Sequence, residues 1–474
     1  MANNIKSYHD TGNALSSDSQ TASINDNYIL KLFNIDHKPV DYIKINHMID
    51  GIHVDIQLSC EVHRCPVCGT ETSLINNYVH KKISHSILNG VPCYIDYHAR
   101  RHKCPACKKT FYEHNPFTLQ GIKISLAIVY NVLKDLKNCN ETFTSVANRY
   151  NISPTAVSSI FDNHVNVPRR TLPEYICIDE VYGFKSEKSN YVCVLVDFSN
   201  NKVIDLLPSR RKYDLINYFT LIPREERERV KIVSSDMWET YRIVSKLVFP
   251  NAVNACDKFH VIQEFTKKMD RVRIDAMNHI KVPPNLNKDS LTREQLANIN
   301  ERNKSYYVLK KFNWLLFKND NQYFDPNQEK KYNRVLEGYY NYYDLVEYMI
   351  RCENKLEEAY DLKTELMIFY RDSTYKDAKE NIEHLIQDFK SISIPYMYDF
   401  SNTLIRWKKE IINSFIVTKG KRKINNGIIE NRNKTIKNIK HNSNGYTNWQ
   451  RYRNRCLYIL NSDVTFYMYP NKND

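Results

Sequence analysis

Residues 175–210 read YICIDEVYGFKSEKSNYVCVLVDFSNNKVIDLLPSR. YICIDE is a short apolar run ending in acid at Asp179 and Glu180. YVCVLVDFS and NKVIDLLPSR follow, rich in Val, Ile and Leu, with Ser199-Asn200-Asn201 as the turn between them. Apolar runs of this length are strands buried on both faces. Cys177 and Cys193 lie inside them, where a free thiol behaves as a small hydrophobe. Downstream the period changes. YDLINYFTLI is a helix, RVKIVSSDMW a strand ending in acid at Asp236, ETYRIVSKLVFP a helix, and AVNACDKFHVI a last strand. The order is β-β-β-α-β-α-β. Three early strands form a meander, and the later ones add beside the first through helices.

That order is the ribonuclease-H-like arrangement. It sets the ends of the first and fourth strands side by side, with Asp179 and Asp236 at those ends. Hard divalent ions such as Mg²⁺ or Mn²⁺ prefer carboxylates. Two of them about 4 Å apart suit phosphodiester chemistry. Asp179 and Asp236 are therefore read as a metal-holding pair, and a third carboxylate is expected from a helix crossing the sheet edge. Glu430 fits. It lies in NNGIIENRNKTIKNIK, where Ile428, Ile429, Ile436 and Ile439 are apolar anchors and Asn426-Gly427 delivers the chain into a helix. Lys434, Lys437 and Lys440 flank it and are placed to meet DNA phosphates. Asp257 and His260, in DKFH, fall near the same edge. Asp257 is the main competitor of Asp236 as a metal ligand, but it ends the next strand out, so the pair is read as supporting the metal ligands or positioning DNA, against a plain polar turn starting a helix. Glu180 points away from Asp179, and Asp197 and Asp205 cap turns.

Upstream, Cys65 and Cys68 stand in RCPVCGT, and Cys104 and Cys107 in HKCPACKKTF. Each pair brackets two residues, so both thiolates turn toward one ion. This predicts one structural Zn²⁺ per chain, with no coordination position left for water. Between the pairs, ILNGVPCYI carries a turn at Asn89-Gly90. The module has little apolar material, so the metal contributes to its folding. His63, His80, His85 and His102 lie nearby and, with Arg64, Arg100, Arg101 and Lys103, are read as surface groups that meet phosphate.

Next, ISLAIVYNVLKDL is an amphipathic helix, and TFTSVANRYNISPTAVSSIFDNHV gives two short helices about a turn at NIS. Ser153 caps the second and Pro154 suits its first turn. This is helix-turn-helix spacing, beside the plainer reading of a helical hairpin. The second helix, about residues 153–163, would enter a major groove with Thr155, Ser158 and Ser159 forward.

The 474 residues carry a formal charge of +14, which favours a polyanionic partner, although an Asn-, Lys-, Ile- and Tyr-rich bias would also raise it. The 12 cysteines show no disulfide framework and fit a reducing cytoplasm. The polar N-terminus lacks a signal segment, and no uncharged run reaches the roughly 20 residues of a membrane span. The organisation expected is a disordered segment over 1–24, a zinc-binding β module over 25–120 and a helix-turn-helix over 121–170. A ribonuclease-H-like core follows over 171–260 and resumes over 416–474, interrupted by an all-α insertion over 261–415. The chain is thus a multidomain α/β protein.

The blocks CPVCG, HKCPACKKTFYEHNPF, YICIDEVYGFK, VSSDMWETY, NACDKFHVIQ, YYVLKKFNWLLFKN and NNGIIENRNKTIKNIKHNSNGYTNWQRYRNR occur in this order across residues 30–465. In that series the chain resembles the ISL-three family of bacterial insertion-sequence transposases, of the DDE class. The resemblance implies a recombinase that binds the terminal inverted repeats of its element and cuts and joins double-stranded DNA. It carries the catalytic triad over to Asp179, Asp236 and Glu430, and a Cys/Asp-x-x-His signature to Asp257 and His260. It implies an insertion domain between Asp257 and Glu430. One departure is local: the family often has Gly after the triad glutamate, and Asn431 stands here. Bringing two element ends together calls for a homodimer, and the setting expected is the bacterial cytoplasm and nucleoid. The alternatives are a metal-dependent nuclease that cuts without joining, and a catalytically inactive DNA-binding regulator.

Overall fold

A computed structural model describes residues 30–31, 40–185, 189–283, 291–318 and 324–469. The segment 1–24, read as disordered, lies outside the described residues. The chain divides into two compact units, one running to Asn166 and taking in Phe466–Asp474, the other Val167–Thr465.

In the first unit, β1 (Val40–Met48) and β2 (Gly51–Leu58) form a hairpin, and the short β3 (His63–Arg64) and β4 (Glu71–Thr72) pair with each other. β5 (Ile75–Leu88), β6 (Val91–Lys103) and β7 (Thr110–Tyr112) complete a sheet of order β1-β2-β6-β5, with β7 on β6. The β5–β6 hairpin closes at Asn89 and Gly90, whose φ values of 52° and 83° are the positive pair that a tight hairpin turn demands. β2 runs parallel to β6, which the local turn signals do not reveal. Val54, Ile56, Ile83, Ile95, Tyr97 and Ala99 form the core.

Three helices follow. α1 (Leu126–Asp135) is capped by Ser125, α2 (Phe143–Arg149) by a reciprocal Thr142–Ser145 box, and α3 (Pro154–His164) by Ser153. Val146, Ala147, Val157, Ile160 and Phe161 are buried. The chain end returns here, where the His164 ring lies 2.6 Å from the Tyr467 carbonyl.

The second unit is built on β8 (Tyr175–Tyr182), β9 (Tyr191–Asp197), β10 (Lys202–Leu207), β11 (Ile232–Ser235) and β12 (Val253–Cys256). The order is β10-β9-β8-β11-β12, antiparallel through the meander and parallel from β8 to β12. β8 runs on past Asp179 to Tyr182, so the first strand does not stop at its acid. Of α4 (Lys212–Thr220), α5 (Arg224–Glu228) and α6 (Glu239–Val248), α4 and α6 pack through Phe219, Tyr241 and Val244 against Ile176 and Ile178 on one face of the sheet.

After β12 the chain leaves the sheet through α7 (Lys258–Ile280), α8 (Arg293–Lys311), a 3₁₀ turn (Asn313–Phe317), α9 (Tyr342–Ile350), α10 (Asn354–Asp372), α11 (Ala378–Ser391) and α12 (Pro395–Asn413). Phe265, Met269, Leu366, Phe389, Phe400 and Leu404 belong to their common core. The insertion is not all-α as expected. It holds a hairpin, β13 (Lys331–Asn333) with β14 (Gly338–Tyr340). Strands this short are too brief to show alternation. The insertion's ends meet, since Asn413 donates to the Asn254 carbonyl at 2.7 Å.

α13 (Gly427–Asn442) and α14 (Trp449–Leu460) bring the chain back to the sheet. Arg453 of α14 reaches the buried Asp205 of β10 at 2.6 Å, and Asn461 bonds both the N–H and the carbonyl of Val203. No helix among the described residues is long and apolar enough to cross a membrane.

Candidate active site

Alternation along β8 puts Cys177 and Asp179 on one face, and Ile178 and Glu180 on the other. β11 pairs with β8 at Ser234 and Cys177, and with β12 at Ser235 and Cys256. Carrying both registers forward sets Asp236 between Asp179 and Asp257, so three aspartates share one row across three adjacent parallel strands.

Burial dominates their chemistry. It pushes the Asp179 carboxyl up to about 6, with the charges of Glu180 and Asp257 adding to the rise and His260 opposing it. It pushes Asp236 up to about 7, helped by the charges of Glu180 and Asp179. Burial raises Asp257 as well, while His260 and a backbone N–H pull it down. Asp236 Oδ1 and Asp257 Oδ2 are buried without a hydrogen-bond partner. Buried oxygens in that state are where a cation fits.

α13 closes over the face that carries Asp179. The Asn426 side chain accepts from the Ser234 hydroxyl at 2.8 Å, and its backbone N–H faces Asp257 Oδ1 at 3.4 Å. The Cys177 thiol donates to the Asn425 carbonyl. Nearly two turns into the helix, Asn433 Nδ2 donates to Asp179 Oδ2 at 2.9 Å, and Asn433 Oδ1 is buried without a partner. Sequence reasoning missed Asn433. Its only signal is a position three residues after Glu430, on the same side of the helix. Glu430 itself is exposed. Among the described residues, metal-ligating groups converge within 4.8 Å at two places, and Asp179, Asp236 and Glu430 form neither. Helix placement brings Glu430 to this edge without bringing its carboxylate onto the aspartates.

On the opposite face Glu180 pairs with Arg210 and accepts from the Tyr241 hydroxyl at 3.0 Å. Arg210 lies over the rings of Tyr191 and Trp238, 4.0 and 4.7 Å from their centroids. Asp197 caps the turn after β9 through the N–H groups of Ser199 and Asn200, whereas Asp205 is taken up by Arg453 and Tyr218. On α13, Lys434 and Lys437 are exposed, and the Lys440 ammonium lies 4.5 Å from the Tyr182 ring centre.

Residues 176–456, from β8 into α14, match the family model for ISL-three DDE proteins, described as Transposase. The chain belongs to this transposase family. It is also similar to the transposase for insertion sequence element IS1001 of Bordetella parapertussis, 24% identical over 274 residues. That alignment spans 58% of this chain and 57% of the relative, so the chain covers little more than half of the relative's length. The transposase match takes in the sheet, the insertion and α13, and leaves the first unit outside it.

In that first unit the four cysteine sulfurs lie within 4.8 Å of one another. Cys65 and Cys107 are 3.6 Å apart and Cys68 and Cys104 3.5 Å, close to the roughly 3.8 Å edge of a tetrahedron with ~2.3 Å Zn–S bonds. Each pair sits on a tight turn: Gly69 N–H returns to the Cys65 carbonyl and Lys108 N–H to that of Cys104. The Thr70 hydroxyl and N–H lower the Cys68 thiol to about 6, while burial and the other three thiols push Cys107 up to about 12. The second convergent group, His63, His102 and Glu113, also belongs to this unit.

Three surface assignments fail here. Arg100 is 1% exposed, held by Asp41 at 3.0 Å and beside Glu113 at 3.6 Å, so it does not meet phosphate. His85 and His102 are buried too, His102 stacking on Phe111. Both faces of β6 are covered at this end, which simple alternation does not anticipate. Arg64, Lys103, Thr155 and Ser159 are exposed, while Arg101 and Ser158 are half-buried.

Proposed function

We propose that the chain is a DNA transposase that binds the terminal inverted repeats of its element and catalyses strand cleavage and transfer. The observation that carries this reading is the row of three aspartates under α13, Asp179 and Asp236 half-buried and Asp257 buried, with raised carboxyls and two orphaned oxygens. Asp179 and Asp236, with Glu430 turning in from the first turn of α13, would hold two Mg²⁺ or Mn²⁺ ions. When bound, those ions supply the charge that activates an attacking oxygen and stabilises a departing one.

The chain's own groups do the rest. Asn433 fixes the rotamer of Asp179 through Oδ2, while the Glu180 N–H accounts for Oδ1 at 2.8 Å. Asp257 and His260 support the row from the β12 side, and Asn426 locks α13 to β11 through Ser234. Lys434, Lys437 and Lys440 line one helix and receive phosphates. The four cysteines hold a structural Zn²⁺ that steadies the first unit. α2 and α3 act as a helix-turn-helix, with Thr155, Ser158 and Ser159 toward the major groove and Arg64 and Arg101 toward the backbone. Two chains pair as a homodimer, one for each element end.

Incubation of the full chain with labelled element ends and Mg²⁺ tests this. Cleaved ends that join a target through their 3′-hydroxyls are expected. Ends that are cut and never joined would favour the nuclease, and tight end binding without cutting would favour the regulator.

A further inference from the structure

Within the insertion, α8, the β13–β14 hairpin and the start of α9 line an open cavity of about 810 Å³, inside the roughly 300–1,000 Å³ range of ligand sites. Its walls are aromatic, with Phe312, Tyr332, Tyr340 and Tyr342 among the lining side chains. Tyr332 is 56% exposed although it sits in a strand. The walls are also held. Asn341 donates to the carbonyls of Pro326 and Gln328 and caps α9, and Asn333 ties the hairpin turn through the N–H groups of Val335 and Leu336.

The rim is basic. Lys311, Lys331 and Arg334 line the opening, and Glu329 is the one carboxylate among the described lining residues. Nearby cations are already used, Lys330 by Asp344 and Lys304 by Glu337, each at 2.9 Å. Among the described residues the three rim cations form no such pair, and the Lys311 ammonium instead lies 5.2 Å from the centre of the Tyr307 ring. An occupant must therefore offer flat π-faces to the tyrosines and anionic groups to the rim. A DNA strand alternates those two features, but a duplex hides its base faces. Only an unpaired strand presents both.

We infer that this cavity binds an unpaired stretch of DNA, stacking a base against Tyr332 and Tyr342 while Lys311 and Arg334 hold the flanking phosphates. The inference rests on the DNA-processing role proposed above, in which strands beside a cut come apart.

The test uses the full chain, a short fluorescein-labelled polythymidine strand and an element-end duplex, read by fluorescence anisotropy. Tyr332→Ala should weaken single-strand binding about tenfold, and Tyr332→Phe should keep it, because stacking needs the ring and not the hydroxyl. Lys311→Glu with Arg334→Glu, both at exposed positions, should weaken it at least as much and flatten its salt dependence. Duplex binding should stay unchanged in all three. Single-strand binding that survives both the Ala and the charge-reversed variants overturns the inference. So does an equal loss of duplex and single-strand binding, and so does an acidic tyrosine-rich peptide that binds in preference to the strand. Cleavage assays on the same preparations separate the two ideas. Tyr332-dependent strand binding without cleavage by the wild type defeats the transposase reading alone. Cleavage without such binding defeats the strand site alone.

Discussion

Asp236 is held where its charge is least welcome, and this fixes a sign. Its carboxyl is raised to about 7 and that of Asp179 to about 6, against an ordinary 3.8. Between those values the folded chain binds more protons than the unfolded one, so stability falls as pH rises. The contribution is complete below about pH 4 and is lost as pH climbs through 6 to 7. Asp236→Asn should therefore stabilise the metal-free protein at pH 8 by roughly 1–3 kcal/mol. The gain should vanish at acid pH, and thermal melts across the range would show it. Adding Mn²⁺ should raise the melting temperature of the wild type more than that of the variant. A variant no more stable than wild type at pH 8 would contradict the assignment of Asp236 to a buried metal site. Asn433→Ala tests the partner of Asp179. It should slow cleavage by about 10–100-fold and raise the Mn²⁺ concentration needed, as loss of a group bonded to a metal ligand does. End binding should not change, and a loss of end binding of the same size would point to a misfolded helix instead.

Elements were legible where period and turn chemistry agreed. The β-β-β-α-β-α-β order stands out because each strand is a compact apolar run and each turn carries Asn, Ser or Pro. The β5–β6 hairpin is announced by Asn89-Gly90, and α3 by Ser153-Pro154. Tertiary facts were not legible. The parallel pairing of β2 with β6 depends on contacts no local pattern encodes, and Arg100 is buried beside Asp41 and Glu113, partners distant in sequence. Asn433 reads as an ordinary polar helix position until Asp179 is placed beside it. Cys104→Ser should remove about one zinc per chain, measured by metal analysis, and lower the melting of the first unit. Zinc retained in a chain lacking both cysteine pairs would sink the assignment. On α3, Thr155→Ala should alter which element ends are preferred more than it alters total affinity, because base contacts specify and phosphate contacts position. Competition between terminal-repeat and random duplex would measure it.

Over the whole molecule, the sheet is interrupted after β12 and finished only by α13 and α14. The insertion's helices pack around one core that reaches Cys256 at the end of β12. The returning segment must still be fastened, and Arg453 does this at Asp205, which is 3% exposed. Arg453→Ala leaves that carboxylate buried without its cation, a change that costs about 3–5 kcal/mol. Chemical denaturation should show the loss in the second unit, and a loss below 1 kcal/mol would mean the fastening lies elsewhere.

The late return of α13 has a temporal consequence. Synthesis delivers the cysteine module, α1 to α3, Asp179 and Asp236 well before Glu430 and Asn433 emerge. On the function proposed here, a nascent or prematurely terminated chain holds the groups that read element ends before it holds the complete set that cuts them. Transcripts broken ahead of Asn426 would then yield fragments that occupy element ends and shield them, so incomplete copies would restrain the movement of intact ones.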